Sequence, residues 1–256
     1  MNRRRLLFHQ IGLEQRAFWR NPQTAFFTFA LPIGLLLIFG FVDGDAAIPG
    51  RPDLRPLTLF VPGILAFGII VAAYGNLAAT IAVLRADGVL KRMRATPLSA
   101  GTYLAGQLAS VLATSLAIAV TTVVLGRVAF GVAPSTSRLL PLLGTLALGV
   151  VCFAALGLAI SSAIRSADSA GPITNGTYLP LALVSGVFNS GLVLPSWLDR
   201  VVSAFPIKAL TDSLRASYDP ASSGPTVGSL LVLAAWAVVG IVLARRYFRW
   251  EPAGQG

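Results

Sequence analysis

Long apolar runs separated by short basic segments dominate the chain. Six of these runs approach or exceed the roughly 20 residues that a helix needs to cross the hydrocarbon core of a bilayer. They cover residues 24–42, 57–84, 102–125, 139–163, 170–189 and 227–245. The second run is long enough to tilt or to project beyond the bilayer. The pattern predicts an all-α polytopic membrane protein with six transmembrane helices.

The first 23 residues, which precede the first apolar run, are amphipathic rather than apolar. Leu7, Ile11 and Phe18 keep the spacing of one helical face, and mainly basic and polar side chains fill the other positions. A helix of this kind lies in the membrane interface. Asn21 and Pro22 are suited to cap and open the next helix. The sequence therefore predicts an interfacial helix over residues 1–23, ahead of a transmembrane domain over residues 24–246.

The lysines and arginines indicate how this domain is oriented. If the N-terminus is cytoplasmic, 13 of the 20 basic residues fall in cytoplasmic segments and 7 in outer segments. Cytoplasmic loops carry the excess of Lys and Arg in membrane proteins. We therefore expect both termini in the cytoplasm, with a short cytoplasmic tail over residues 247–256.

Composition agrees with a membrane protein and argues against nucleic-acid binding. The chain is 55% hydrophobic and 12% charged, with a net charge of +10, whereas soluble domains carry about 25% charged residues. The positive charges lie in the gaps between apolar runs and not on one face of a polar domain. Their placement indicates membrane orientation.

The most basic of these gaps lies between the second and third runs. Residues 84–101 read LRADGVLKRMRATPLSAG, with four basic residues and one acid. Asp87 and Gly88 are a plausible helix start, and Thr96-Pro97 would end the helix. This predicts a short helix lying along the cytoplasmic membrane surface. An ordinary basic loop between two spans would carry the same residue types, and both interpretations stay open.

The longest outer segment, residues 190–226, contains two short periodic runs. The first surrounds Trp197 and the second leads from Pro206 to Tyr218. Two short helices that lie on the outer leaflet, or dip into it, would explain this pattern. Trp197 and Tyr218 would suit the headgroup level.

Chemistry-bearing residues are absent from the interiors of the six predicted spans. These interiors contain no Asp, Glu, Lys, Arg or His. Carriers and pumps commonly use such residues as relays, and intramembrane hydrolases need a base or a metal ligand. His9 lies in the interfacial helix, and the single cysteine, Cys152, lies in an apolar run. We therefore expect no catalytic residue, no metal site and no energy coupling within the chain.

Two predicted spans carry small or polar residues along one face. Such faces let helices approach closely and hydrogen-bond to one another. These two faces have three possible roles, which the sequence leaves open: packing the helices of one bundle, lining a substrate path or forming a dimer seam. The residues are Gly68, Ala72, Asn76 and Thr80 in the second span, and Asn175, Tyr178, Ala182, Ser185 and Asn189 in the fifth.

With these features the chain resembles the ABC-2 type transporter permeases, which are the membrane subunits of daunorubicin-resistance-like and polysaccharide-export-like systems. The resemblance covers nearly the whole chain. Its most specific part is the cytoplasmic loop of residues 85–98, RADGVLKRMRATPL, in which an acid and Gly precede basic residues and Thr-Pro-Leu. Leu194-Pro195-x-Trp197-Leu198, Pro206-Ile207 and Asp212-x-Leu214-Arg215 are similar to the outer re-entrant helices of the family. The chain departs from the family at Ala86, Val89 and Phe205, where Glu, Thr and Asn are frequent.

The resemblance implies that an external ATPase powers the chain. Two cytosolic ABC ATPase subunits would bind ATP and Mg²⁺, with no cofactor in this chain. The permease would pair with a second copy of itself or with a sister permease in a bacterial plasma membrane. The loop between the second and third spans would be the coupling helix that docks on the ATPase. The residues that this assigns to coupling are Arg85, Asp87, Gly88, Leu90, Lys91, Arg92, Arg94, Thr96 and Pro97.

We therefore expect an ATP-driven exporter of a hydrophobic or amphipathic substrate, such as a drug, a lipid or a glycolipid, with efflux or multidrug resistance as the phenotype. An ion-coupled secondary carrier is one alternative, because sodium sites can be built from carbonyl and hydroxyl groups alone. A membrane scaffold that transports nothing is another.

Overall fold

The computed structural model describes residues 3–43, 54–94, 100–164, 166–188 and 194–248. The described residues form helices and short connections, and they contain no strand. A π-helical segment, Val71–Asn76, joins α3 to α4, and a 3₁₀ turn, Thr136–Arg138, precedes α7. The α-helices are α1 (Arg3–Arg20), α2 (Pro22–Asp43), α3 (Pro56–Ile70), α4 (Leu77–Ala86), α5 (Val89–Arg94), α6 (Ala100–Phe130), α7 (Leu139–Ser161), α8 (Ala167–Val184), α9 (Ser196–Ser203), α10 (Pro206–Tyr218) and α11 (Val227–Tyr247).

Five helical stretches in the described residues are long and apolar enough to cross a membrane. They are Pro22–Val42, Pro56–Ala86, Ala105–Phe130, Thr136–Ser161 and Val227–Tyr247. They correspond to the first four predicted spans and to the sixth. The fifth predicted span coincides with α8, which has 18 residues and is not among the five. Its first turns hold Asp168 and Ser169, and Asn175 and Thr177 lie near its middle, which lowers its hydropathy.

The second predicted span is the centre of the bundle. It is continuous through α3, the π-helical segment and α4, and most of its side chains are buried. Gly63 and Gly68 of this span lie directly against neighbouring segments, and such small residues let other helices pack closely around it. Pro56 opens α3 at its first turn, where the missing N–H costs no intrahelical hydrogen bond.

The bundle has two ends, here called the Arg85 end and the Arg138 end after a residue at each. Helix α8 and the turn after it extend from the Arg85 end towards the Arg138 end. At the Arg85 end, Ala170 packs with Ala78 and Ala82 of α4. Towards the Arg138 end, the carbonyl oxygen of Val187 lies directly against Gly63 of α3, where a Cβ would clash. Helix α8 therefore runs antiparallel to the second span along most of its length.

Helices α7 and α11 pack closely through glycines. A Cβ on Gly240 of α11 would lie 2.9 Å from Ala155 of α7. A Cβ on Gly157 of α7 would lie 2.9 Å from the carbonyl oxygens of Ala73 and Tyr74 in the π-helical segment. Both glycines allow backbones to approach more closely than any side chain would permit.

Helices α9 and α10 form a hairpin whose turn reaches the middle of α11. The indole Nε1 of Trp236 donates to the carbonyl oxygen of Ala204 at 2.7 Å, and the Phe205 and Trp236 rings stack with centroids 5.9 Å apart. From this turn α10 extends back to the Arg138 end, where Arg138 donates to the carbonyl oxygens of Ala216 and Pro220. The two predicted short helices thus correspond to α9 and α10, and α10 packs inside the bundle, with Leu210 fully buried.

Candidate functional site

The basic segment after the second span folds as a turn and a short helix. Asp87 closes α4 by donating its N–H to the carbonyl oxygen of Val83, and Gly88 adopts φ of +67°, which favours glycine. Helix α5 then begins at Val89, so the expected start at Asp87-Gly88 is instead the turn between two helices. Thr96 and Pro97, the predicted end of this helix, lie outside the described residues.

Helix α5 is attached to the bundle by one side and charged on the other. Leu90 is fully buried in the hydrophobic core. Lys91 and Arg92 are exposed, as is Asp87 in the preceding turn. Arg94 is the last residue of α5, and its side chain lies outside the described part of the structure. The arrangement presents charges outward from a helix whose apolar side chain is fixed in the core.

Arg85 differs from Asp87, Lys91 and Arg92, the other charged coupling residues whose side chains are described, because it is only 5% exposed. Its Nη2 atom donates to the carbonyl oxygen of Ser161 and, at 2.7 Å, to that of Ile164. These carbonyls lie at the C-terminal end of α7, where carbonyl groups lack intrahelical partners. A cation there also compensates the negative end of the helix dipole. Arg85 therefore ties the ends of α4 and α7 together.

The small-residue face of the second span contacts helices of the same chain. A Cβ on Gly68 would meet Ile118 of α6, and Ala72 is 3% exposed. The Nδ2 atom of Asn76 donates to Oγ1 of Thr28 in α2 at 2.6 Å, whereas Thr80 is exposed.

The corresponding face of α8 lies against a different part of the second span. Tyr178, Ala182 and Ser185 are buried, and Asn175 is exposed. The rings of Tyr178 and Tyr74 have centroids 6.1 Å apart. Within one chain the two predicted faces therefore do not form one continuous seam, because Asn76 contacts α2 while Tyr178 contacts Tyr74. Asn189 lies outside the described residues.

A hydroxyl pair links the π-helical segment to α8. The Tyr74 hydroxyl lies 2.7 Å from Oγ1 of Thr177, and Thr177 also donates to the carbonyl oxygen of Thr174. Neither residue belongs to the small-residue faces that the sequence predicts. A π-helical insertion has no reliable sequence signature, but it often marks a functional position in a helix.

A crevice of about 300 Å³ lies between α1, the π-helical segment, α4 and α6, and Ala72, Asn76 and Thr80 of the second span line it. Glu14 lines it, and Nε2 of Gln10 donates to Oε1 of Glu14 at 2.6 Å. Burial raises the pKa of Glu14 above its ordinary value, and hydrogen bonds from Gln10 and Gln107 partly oppose this shift. Gln15 donates to Ser110 on α6, so polar contacts hold the interfacial helix against the bundle.

A larger cavity of about 650 Å³ lies between α7, α8, α11 and the turn of the α9–α10 hairpin. Aromatic and aliphatic side chains form most of its wall, and Tyr74 and Thr177 contribute hydroxyl groups. Arg85 is the one charged residue that the described structure places in its lining.

Charged side chains cluster between α9 and α10. The Nζ atom of Lys208 lies 3.3 Å from Asp199 and 3.4 Å from Asp212. Burial raises the pKa of the Asp212 carboxyl, and the charges of Lys208 and Arg215 partly oppose this. Arg215 donates to the carbonyl oxygens of Leu59 in α3 and Gly186 after α8. The cluster joins the hairpin to the spans, and only the i, i+4 spacing of Lys208 and Asp212 could have indicated it beforehand.

The described residues contain no group of three or more His, Cys, Asp or Glu side chains that could hold a metal ion. What the arrangement offers is a charged surface, a cavity and close helix contacts.

Comparison with known proteins places these features in a family. The family model described as ABC-2 type transporter matches residues 11–218, from α1 to the end of α10. No curated protein matches the chain.

Proposed function

Because the chain belongs to the ABC-2 type transporter family, and is therefore a permease subunit of an ABC transporter, we propose that it exports a hydrophobic or amphipathic substrate from the cytoplasm. The permease subunit is not itself catalytic, and members of this family pair with an ABC ATPase. We propose two ATPase copies, each binding ATP with Mg²⁺. A second permease copy, or a sister permease, completes the transporter in a bacterial plasma membrane.

The single observation that carries this proposal is the structure of α5, which has a buried apolar side and an exposed charged side suited to coupling with an ATPase. Its buried Leu90 belongs to the same core as the second span, and its exposed Lys91 and Arg92 face away from the bundle. A partner that binds the exposed charges can move the second span through this apolar contact. Asp87 and Gly88 provide the turn between the two helices.

The path of α8 supports a six-span layout. Helix α8 packs beside α4 at the Arg85 end, and Val187, three residues after α8, lies against α3 towards the other end. We propose that α8 crosses the membrane and that its exposed polar residues, such as Asn175, face the second permease copy rather than lipid. The Arg85 end would then be cytoplasmic, as would both chain termini, and α9 and α10 would enter the bundle from outside as re-entrant helices.

As mechanism, we propose that closure of the ATPase pair pushes α5 and tilts the second span relative to α8. Arg85 connects α4 to α7, and the hydroxyl pair of Tyr74 and Thr177 connects the π-helical segment to α8. Movement of α5 would therefore reach α7 and α8, two of the helices that surround the second span. The substrate would pass along the second and fifth spans, beside a dimer seam with the second permease.

The test is to reverse the charge of Lys91, Arg92 and Arg94 together by replacing each with Glu. The tagged chain is isolated from native membranes, and the co-purified ATPase and its hydrolysis rate are measured. We expect the apparent affinity for the ATPase to fall at least about tenfold, equivalent to about 1.4 kcal/mol, while membrane insertion is unchanged. The matched control is the pair Arg127→Glu and Arg200→Glu, which changes exposed arginines of α6 and α9.

Undiminished ATPase binding and transport in the triple variant would contradict the coupling role of α5. Transport that survives ATP depletion but stops with an uncoupler would instead indicate a secondary carrier. A chain that is isolated alone and has no substrate-dependent phenotype would indicate a scaffold.

A further inference from the structure

The larger cavity has the depth of one membrane leaflet. Its wall follows the second span from Arg85 to Tyr74. These residues are eleven positions apart in a continuous helix, which corresponds to about 16 Å at 1.5 Å per helical residue. The hydrocarbon core of a bilayer is about 30 Å thick, so the cavity extends from one surface to the middle of the membrane.

The deep end of the cavity is closed by the turn of the α9–α10 hairpin. Phe205, Pro206 and Trp236 line this end. The stacked rings of Phe205 and Trp236, and the hydrogen bond from Trp236 to Ala204, fix the turn against α11. A long apolar chain that enters from the Arg85 end would therefore stop at mid-membrane against aromatic rings.

The shallow end of the cavity is positively charged. Arg85 lines it, and no acidic residue of the described structure does. The dipole of α7 offsets only about half of one unit charge. Tyr247 also lines this end, and the guanidinium carbon of Arg246 lies 5.7 Å from the centroid of the Tyr247 ring. Arg85 keeps its hydrogen bonds to the carbonyls of α7 and contributes its charge.

We infer that this cavity binds an anionic amphipath of the cytoplasmic leaflet, with an acyl chain directed towards Phe205 and Trp236 and a headgroup beside Arg246 and Tyr247. Its volume lies within the roughly 300–1,000 Å³ of small-molecule sites. The inference deepens the proposed function by naming a cargo class. It rests on that function for the orientation of the chain and for the claim that the bound molecule is exported.

The experiment measures binding without ATP, so that its outcome is independent of transport. The full chain is placed in phosphatidylcholine nanodiscs with a phosphatidylglycerol that carries a photoreactive group at the end of its acyl chain. A phosphatidylcholine with the same photoreactive chain serves as the zwitterionic probe. We expect labelling of peptides that contain Phe205 or Trp236, about fivefold stronger with the anionic probe, since one basic residue near the surface contributes about 1 kcal/mol.

Two variants separate the cavity from general lipid contact. Ala159→Trp places an indole in the cavity, and we expect it to reduce labelling of the deep end by about fivefold or more, because the filled volume excludes the chain. Val151→Trp is the matched control on the same helix, since Val151 is exposed and does not line the cavity. Labelling at the deep end that is equal in these two variants would overturn the site.

A second pair of variants tests whether the headgroup lies beside Arg246. Arg246→Glu should remove the preference for the anionic probe, whereas Arg245→Glu, one residue away and equally exposed, should retain most of it. Equal labelling by both probes in the unchanged protein would overturn the anionic class. If the anionic probe labels the deep end preferentially but the chain binds no ATPase, the binding site is supported and the proposed function is refuted.

Discussion

Arg85 and Lys91 are six residues apart in the same basic segment, yet their side chains have opposite environments. Lys91 is exposed on α5, and Arg85 is buried against the last carbonyls of α7. Sequence reasoning placed both in one coupling surface, because their charge and their position after an apolar run are alike. Their environments differ because α7 packs beside α4 and covers Arg85. The local sequence pattern does not specify which helix packs there. The role of each in coupling stays a prediction.

Replacing Arg85 with Met should destabilise the bundle, because the carbonyl oxygens of Ser161 and Ile164 would lose a charged donor in a buried place. At about 1.5–3 kcal/mol for each such hydrogen bond, we expect a loss of about 3 kcal/mol. Thermal unfolding of the purified chain in detergent measures it, and the midpoint should fall by roughly 6–12 °C.

Arg92→Met is the matched control, because Arg92 is exposed and should change stability by less than about 0.5 kcal/mol. An unfolding midpoint that is the same for both variants would show that the contacts of Arg85 contribute nothing to stability.

Among the elements, the second span was the easiest to predict and α8 the hardest. An uninterrupted apolar sequence identifies a spanning helix by itself, and the structure decides that this span lies at the centre, since α11 is at least as apolar and is mostly unburied. Helix α8 carries Asp168, Asn175 and Thr177, so its composition falls short of a span, although α8 and the turn after it follow the second span from Ala82 to Gly63. The π-helical segment lies within a continuous apolar run, where neither periodicity nor composition reveals it.

Gly157 tests the close contact between α7 and the π-helical segment. Gly157→Ala would place a Cβ 2.9 Å from two backbone carbonyl oxygens, which cannot move as a flexible side chain can. Overpacking of this kind costs about 1–3 kcal/mol, and we expect that loss in thermal unfolding.

Gly144→Ala on the same helix is the matched control. No atom of the described structure lies within 4 Å of the added Cβ, so alanine should stabilise the helix by about 0.5–1 kcal/mol. Equal stability of the two alanine variants would mean that α7 does not pack against the π-helical segment as closely as described.

At the scale of the whole molecule, the number of spans depends on whether α8 crosses the membrane. The same question decides on which side of the membrane the segment between α10 and α11 lies. Single cysteines at Asp168 and Ser223, each in a Cys152→Ala background, test this with a membrane-impermeant thiol reagent. Both positions are exposed. If α8 crosses the membrane, the reagent should label Ser223→Cys in intact cells, and Asp168→Cys only after the cells are opened.

Cys152 is buried, and its replacement leaves a background without thiols. Labelling of both positions from the same side would contradict the six-span layout and favour a layout with the five described helices that are long and apolar enough to cross a membrane.

Membrane class, helix content and permease family followed from the sequence alone, because the six runs, the basic gaps and the RADGVLKRMRATPL segment are local patterns. The family match confirms the resemblance. Only the tertiary structure decided which polar residues meet. It buried Arg85 at the end of α7, joined Tyr74 to Thr177 and directed Asn76 towards Thr28. The physical reason is that each span must by itself be apolar over the thickness of the membrane. This requirement can be read directly from the sequence of each span. Helix contacts within the bilayer depend instead on small residues and hydrogen bonds between distant segments, whose partners no local pattern names.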